Sequence, residues 1–118
     1  MQQRVALARA LMHDPPVLVM DEPFAALDAL TREQMAIELQ RLWAHAAKTI
    51  VFVTHSIAEA TFLSDRVLVL SERPARIVED LKVNLPRPRT PDTMKTAAFG
   101  EIAGRLRERL YAASGAVA

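Results

Sequence analysis

The 118-residue chain contains no cysteine and only three glycines, Gly100, Gly104 and Gly115. The absence of cysteine excludes a disulfide framework, a thiolate metal site and a cysteine nucleophile, and it favours a reducing compartment. An average chain of this length carries about eight glycines, yet here the first glycine is residue 100. A glycine-rich loop that wraps a phosphate group is therefore absent from this sequence.

A charge excess of one sign and long apolar runs are also missing. Lys and Arg number 15 against 14 Asp and Glu, and this balance argues against a dedicated nucleic-acid surface. The longest apolar runs have four residues, as in 17–20, whereas a membrane-spanning helix needs about 20. No signal-peptide pattern follows the N-terminal residues, so export is not expected. Apolar residues still make up 51% of the chain, enough for a folded core.

The apolar pattern alternates helices with strands, which predicts an α/β fold with a mostly parallel sheet flanked by helices. Short apolar runs predict strands buried on both faces, and a weaker alternation predicts an edge strand; these segments are Val17–Met20, Thr49–Thr54, Arg66–Leu70 and Ala75–Val83. Capping boxes and helical spacing predict helices at Gln2–His13, from Thr31 or a few residues earlier, from Ser56 to about Leu63, and from Thr90 to about Ala113.

Apolar stripes mark the helix faces that should be buried. They comprise Ile37, Leu39, Leu42 and Trp43 on the helix near Thr31, and Leu106, Leu110 and Tyr111 on the last helix. Residues 85–91 contain three prolines and two arginines, which predicts an extended, solvated connector. The predicted organisation is an α/β part over 1–84, a connector over 85–91 and a C-terminal helix within 92–118.

Two carboxylates, Asp21 and Glu22, follow the first predicted strand. Ligands of open α/β sheets bind at the carboxyl ends of strands, and adjacent carboxylates repel each other unless something such as a magnesium ion stabilises them. Asp21 could hold the ion, and Glu22 could orient or deprotonate an attacking water. The alternative is that Asp21 caps the turn and that Glu22 is only solvated.

The second predicted strand is followed by His55. Its imidazole is therefore expected at the same edge as Asp21 and Glu22, where it could hydrogen-bond a phosphate or a water. The alternative is a structural or merely exposed histidine. His13 and His45 fall near predicted helix ends and are interpreted as surface or capping residues.

Four motifs resemble those of ATP-binding cassette (ABC) ATPases, in the order that the family has them. Met1–Leu11 is similar to the tail of the signature motif and the helix that follows it. Val17–Pro23 resembles the Walker B strand with its catalytic glutamate, Ala26–Asp28 resembles the D-loop, and Val53–Ser56 resembles the switch-histidine loop. The resemblance covers residues 1 to about 89.

This resemblance implies the C-terminal part of a P-loop NTPase (RecA-like) nucleotide-binding domain that uses ATP and Mg²⁺. Asp21 would hold Mg²⁺ through water, Glu22 would be the general base, and His55 would contact the γ-phosphate. Asp28 would lie at the interface between two ATPase subunits. Gln2 would begin the helix behind the signature loop, which contacts ATP bound to the opposite subunit.

Within the family, residues 22–24, 27–32 and 73–77 resemble an importer branch for nitrate, alkanesulfonates, taurine and related small anions. The resemblance implies the ATP-hydrolysing subunit of such an importer, cytoplasmic and peripheral on the inner face of the cell membrane. Its partners would be a second ATPase subunit and a transmembrane permease with a substrate-binding protein, and no nucleic acid.

The family's phosphate (Walker A) loop, and the strand that leads to it, have no counterpart in this sequence. We therefore expect the chain alone to show no significant ATPase activity. Because that strand lies inside the sheet of relatives, we also expect the apolar strands to be partly exposed. Two alternatives stay open: an inactive fragment that pairs with an intact ATPase subunit, and a non-transport ATPase of the ABC superfamily.

Overall fold

The computed structural model describes residues 17–46, 49–72 and 74–114. The chain divides between His55 and Ser56 into two compact units, Met1–His55 and Ser56–Ala118. The helix predicted over 2–13 lies outside the described residues, and so does the candidate site residue Gln2. In the part of the chain that the structure describes, no helix has the length and apolar character needed to cross a membrane.

The first unit is built from a strand, a helix and a second strand. These are β1 (Val17–Asp21), α1 (Ala29–Ala46) and β2 (Thr49–Val53). The two strands pair in parallel, with Val17 opposite Thr49 and Asp21 opposite Val53. Parallel pairing requires a crossover between the strands, which α1 provides. The register therefore brings the carboxyl ends of both strands to the same end of the sheet.

Helix α1 begins at Ala29, within the few residues before Thr31 where the sequence pattern allows the helix to start. The Oδ1 atom of Asp28 accepts a hydrogen bond from the backbone N–H of Thr31 at 2.8 Å, so Asp28 is the residue that caps the helix. The buried side chains of α1 are Met35, Ala36, Leu39 and Gln40. Among the predicted stripe residues only Leu39 is buried, because the buried face includes small and polar side chains that an apolar pattern overlooks.

The second unit contains two helices, a hairpin and a short 3-10 helix. In chain order they are α2 (Ile57–Leu63), β3 (Arg66–Leu70), β4 (Ile77–Lys82), the 3-10 helix Pro91–Lys95 and α3 (Ala97–Ser114). The helix start predicted at Ser56 is confirmed, since the Ser56 hydroxyl accepts a hydrogen bond from the Glu59 N–H at 3.2 Å and so caps α2.

The prediction of one mostly parallel sheet is wrong for the described residues. They form two two-stranded sheets, because β1 and β2 are parallel whereas β3 and β4 are antiparallel. The connection over residues 71–76 is too short for a parallel crossover, and Ser71 closes it by donating its N–H to the Arg76 carbonyl at 2.8 Å. The α/β class is confirmed; the sheet organisation is corrected.

Each sheet exposes apolar side chains on one face. The exposed residues include Val17, Val19, Val51, Val53, Leu68 and Leu70. In β1 and β2 the side chains alternate between exposed and half-buried, so the prediction of strands buried on both faces is wrong. Such burial requires helices on both faces of a sheet. The expected partial exposure of the apolar strands is confirmed.

The last helix begins later than predicted. Thr96 has an extended backbone, and its hydroxyl accepts a hydrogen bond from the Phe99 N–H at 3.2 Å, which caps α3 and separates it from the 3-10 helix. Phe99 and Leu106 are buried on α3, whereas Leu110 and Tyr111 are exposed. The predicted apolar stripe is therefore correct only at Leu106.

Two arginines from residues 85–91 bind the last carbonyl groups of α2. Arg89 Nη1 donates to the carbonyls of Thr61, Phe62 and Ser64 at 3.4, 3.1 and 2.6 Å. Arg87 Nη2 donates to the Leu63 carbonyl at 2.7 Å. The last carbonyls of a helix lack partners within the helix. The four successive carbonyls of residues 61–64 therefore all accept hydrogen bonds from this arginine pair.

Arg89 is almost completely enclosed, with an exposed fraction of 2%. It also donates to the carbonyls of Leu85 and Val83, at 3.1 and 3.4 Å. Burial, with a smaller effect from the charge of Arg87, lowers the pKa of Arg89 to about 10, so the guanidinium stays charged at neutral pH. The prediction of a solvated connector is wrong for Arg89 and for Leu85, which is 6% exposed.

We expect Arg89→Lys to lower the free energy of unfolding of the chain by about 3 kcal/mol. One ammonium group cannot satisfy the buried carbonyls that the planar guanidinium binds in several directions. Urea unfolding followed by circular dichroism measures the change. The matched control is Arg107→Lys at an exposed position of α3, with an expected change within about 0.5 kcal/mol. Equal changes in the two variants would contradict the role of Arg89.

Candidate functional site

Glu22 and His55 meet just beyond the carboxyl ends of β1 and β2. The Glu22 N–H donates to the Val53 carbonyl at 2.7 Å, which extends the parallel pairing by one bond. His55 lies two residues beyond β2, and its Nε2 atom is 3.2 Å from Oε1 of Glu22. The His55 side chain is 87% exposed and the Glu22 side chain is 39% exposed. The structure thus brings together two of the predicted site residues where solvent reaches both.

The backbone of Glu22 has a left-handed conformation, with φ at 46°. This conformation is uncommon for residues other than glycine, and it costs about 1–3 kcal/mol where the surroundings enforce it. The surrounding hydrogen bonds engage both peptide groups of Glu22: its N–H binds the Val53 carbonyl, and its own carbonyl accepts from the Ala25 N–H at 3.2 Å. The chain therefore turns sharply directly after β1.

Asp21 is the last residue of β1 and is exposed. No cluster of three or more His, Asp or Glu side chains suited to a metal ion occurs among residues 17–46, 49–72 and 74–114. Mg²⁺ is commonly held by one or two carboxylates together with water and substrate phosphates. An exposed carboxylate at a strand end, adjacent along the chain to Glu22, fits such a partial site and does not form a closed metal cage.

Asp28 stands at the far end of the loop that begins at Glu22. Two turns close this loop, through the bond of Ala25 to Glu22 and through the Leu27 N–H, which donates to the Phe24 carbonyl at 3.1 Å. Phe24 is fully buried and anchors the loop. Hydrogen bonds from Thr31 lower the pKa of the Asp28 carboxyl. The observed contact of Asp28 is thus the helix cap, separate from the Glu22–His55 pair.

Arg32 contacts the same loop, although the sequence pattern did not single it out. Its Nη2 atom donates to the Leu27 carbonyl at 3.0 Å and to the Ala25 carbonyl at 3.4 Å. A signal was present, because a cation in the first turn of a helix is disfavoured by the helix dipole. Arg32 lies four residues after the cap at Asp28, where its positive charge is unfavourable for the helix. An arginine at this position therefore indicates that its side chain binds a nearby acceptor.

The chain is similar to proteins named as ATP-binding proteins, two of which are named for transport. It is 58% identical over 89 residues to an uncharacterised ABC transporter ATP-binding protein of Methanocaldococcus jannaschii. It is 52% identical over 98 residues to an aliphatic sulfonates import ATP-binding protein of Yersinia pestis. It is 43% identical over 111 residues to a putative ATP-binding protein of Brucella abortus.

These three matches cover 75%, 83% and 94% of this chain, respectively. They cover 33%, 35% and 43% of the three relatives. The chain therefore spans between a third and a half of the length of the curated relatives it matches. No family model matches the chain.

We expect the stabilising effect of the Asp28 cap to depend on pH. Its pKa in the folded chain lies below the ordinary value of 3.8, so the contribution is fully present above that value and is lost as pH falls through the folded-state pKa. Asp28→Asn keeps an acceptor oxygen without the charge. Its melting temperature should be below that of the wild type near pH 5, and the difference should shrink towards about pH 2.5. A constant difference would contradict this prediction.

Replacing Glu22 by glycine should stabilise the chain while removing the candidate base. Glycine adopts the left-handed conformation without steric cost, so Glu22→Gly should raise the free energy of unfolding by about 1 kcal/mol. The exposed contact with His55 contributes little to stability. The control is Glu72→Gly, an exposed position whose φ is not positive; it should be neutral or slightly destabilising. Denaturant unfolding of both variants tests this, and destabilisation by Glu22→Gly alone would contradict it.

Proposed function

Since the chain belongs to the family of ABC transporter ATP-binding proteins, we propose that it forms the Walker B to switch-histidine part of an importer's ATP-hydrolysing subunit. The observation that carries this proposal is the contact of Glu22 with His55 beyond two parallel strands. In phosphoryl transfer, a carboxylate can accept a proton from the attacking water, and an adjacent imidazole can stabilise the negative charge on the phosphate.

Glu22 is the general base in this proposal. Its carboxylate is partly exposed, so a water molecule can reach it, donate a hydrogen bond to it and lose a proton to it. The turn after β1 fixes the backbone from which the Glu22 side chain extends, because both peptide groups of Glu22 are hydrogen-bonded, and the carboxylate then contacts His55. Positioning of this kind is the larger part of catalysis in phosphoryl transfer.

In this proposal the His55 imidazole has two alternative hydrogen-bond partners, the Glu22 carboxylate and a phosphate oxygen. In the structure its Nε2 faces Glu22, where an N–H at Nε2 would donate to the carboxylate. The imidazole is exposed, so it can instead turn to a phosphate oxygen and stabilise the negative charge there. His55 thus orients the base before phosphate binds and contacts the γ-phosphate afterwards.

Asp21 is the residue proposed to hold Mg²⁺ through water. When bound, the ion neutralises charge on the phosphates of ATP. Asp28 is proposed to lie near the second ATPase subunit, and Gln2, outside the described residues, to begin the helix behind the signature loop. The surrounding domain is proposed to be a P-loop NTPase domain, as the relatives imply.

The proposed transport substrate is a small anion such as a sulfonate, nitrate or taurine. This choice is supported by the relative named for aliphatic sulfonate import, which is 52% identical to this chain. The proposed assembly pairs two ATPase subunits with a transmembrane permease and a substrate-binding protein. The ATPase subunits lie on the cytoplasmic face of the membrane.

The test uses a chimera in which the aligned 98 residues of this chain replace the matching residues of the Yersinia pestis relative. Glu22→Gln keeps the size and hydrogen bonding of the side chain and removes the base. ATP should still bind, while hydrolysis should fall by roughly 100- to 10,000-fold, the scale of a lost general base. Asp21→Asn should instead weaken Mg²⁺-dependent ATP binding. ATP affinity and turnover are measured for both variants.

The control variant is Glu72→Gln, which removes one exposed negative charge and should leave both quantities unchanged. Near-normal turnover in Glu22→Gln would exclude Glu22 as the base. An equal loss of ATP binding in Glu22→Gln and Asp21→Asn would show that the two carboxylates do not have distinct roles. A chimera with native-like folding and no ATPase activity would contradict the proposed function as a whole.

A further inference from the structure

The left-handed conformation of Glu22 needs support from its surroundings. Such conformations persist only where neighbouring structure holds them. Hydrogen bonds to the Val53 carbonyl and from the Ala25 N–H hold Glu22 directly. The second of these bonds depends in turn on the conformation of residues 23–27, because Ala25 belongs to that segment.

Residues 23–27 have few internal restraints. Phe24 is fully buried, whereas Ala25 and Ala26 are exposed. Two turn hydrogen bonds, of 3.2 and 3.1 Å, shape the segment. Exposed backbone with few buried contacts opens readily. A contact from outside the segment adds to the restraints that Phe24 and the two turn bonds provide.

Arg32 provides such a contact from α1. Side chains of a helix lean towards its N-terminus, which carries the guanidinium back over the loop. There Nη2 bridges the carbonyls of Ala25 and Leu27. The Arg32 backbone N–H also donates to the Asp28 carbonyl at 2.8 Å. The last of these bonds is the first backbone hydrogen bond of the helix, so the guanidinium holds the loop at two carbonyls, those of Ala25 and Leu27.

Arg41 is a second arginine of α1, and its partner is Glu38 of the same helix. Its Nη2 donates to Glu38 Oε1 at 2.6 Å, an ion pair along the helix surface. The Arg41 side chain is 62% exposed. Arg41 is therefore a matched control, with the same residue type in the same helix.

We propose that Arg32 is a positioning residue for Glu22: its guanidinium holds residues 25–27, and this loop holds the Glu22 carboxylate in its place beside His55. The proposal rests on the proposed role of Glu22 as general base. In this proposal Arg32 acts on Glu22 through the loop backbone, because its guanidinium donates to the carbonyls of Ala25 and Leu27.

The first experiment measures amide hydrogen exchange in the full 118-residue chain by mass spectrometry, over peptides that cover residues 23–31. Arg32→Met removes all donors and keeps an apolar stem, and it should speed exchange at Ala25 and Leu27 by at least about 10-fold. Arg32→Lys keeps the charge and some donors, so its effect should be intermediate. Arg41→Met should match the wild type. Unchanged exchange in Arg32→Met would overturn the proposal.

The second experiment measures steady-state ATPase kinetics in the chimera. Arg32→Met should lower kcat by roughly 10- to 100-fold, the scale of an angstrom-sized misplacement, with KM for ATP within about 2-fold. In a Glu22→Gln background Arg32→Met should cause no further loss, because residues that act as a unit are not additive. Equal losses in both backgrounds would show a merely structural role and would overturn the proposal.

The two experiments separate this proposal from the proposed function. A folded chimera without ATPase activity would contradict the function, while hydrogen exchange would still decide whether Arg32 holds the loop. Melting monitored by circular dichroism shows whether Arg32→Met unfolds the chain. If it does, hydrogen exchange and kcat are measured for Arg32→Lys instead. Wild-type exchange and wild-type kcat in a folded Arg32→Lys variant would then overturn the proposal.

Discussion

The parallel register of β1 and β2 is the constraint on which the candidate site depends. Both strands end on the same side, so the chain leaves them as neighbours, and Glu22 bonds to the Val53 carbonyl. A slip of one residue would turn every strand side chain to the opposite face, and it would break that bond. His55 would then no longer stand opposite Glu22. The chemistry of the site is therefore decided by backbone pairing.

The contact between the charged groups of the site, Glu22 and His55, contributes little to the stability of the site. Glu22 and His55 are both solvent-accessible, and exposed ion pairs are typically worth less than about 1 kcal/mol. Their arrangement follows instead from a strained residue, a buried anchor at Phe24 and a helix that begins at a carboxylate cap. Because the backbone and not the ion pair holds the site, the side chains of Glu22 and His55 can change partners while the backbone keeps its conformation.

The sequence predicts that Asp21, Glu22 and His55 lie at or just beyond strand ends, because an apolar run followed by polar residues marks the end of a strand. It did not foretell the division into two sheets, since apolar runs in parallel and antiparallel strands look alike. The burial of Arg89 was missed for another reason. Proline-rich segments are usually solvated, and the carbonyl of Ser64 that Arg89 binds is 25 residues away in the chain.

The arginine pair at the end of α2 also bears on how this part of the chain can change during evolution. Arg87 and Arg89 saturate carbonyls of a helix that precedes them by more than twenty residues. A recombination event that joined α2 to a foreign segment in place of residues 85–91 would leave those carbonyls without donors. A foreign segment can therefore follow α2 without leaving these carbonyls unbonded if it carries both arginines, or if the breakpoint lies after Arg89.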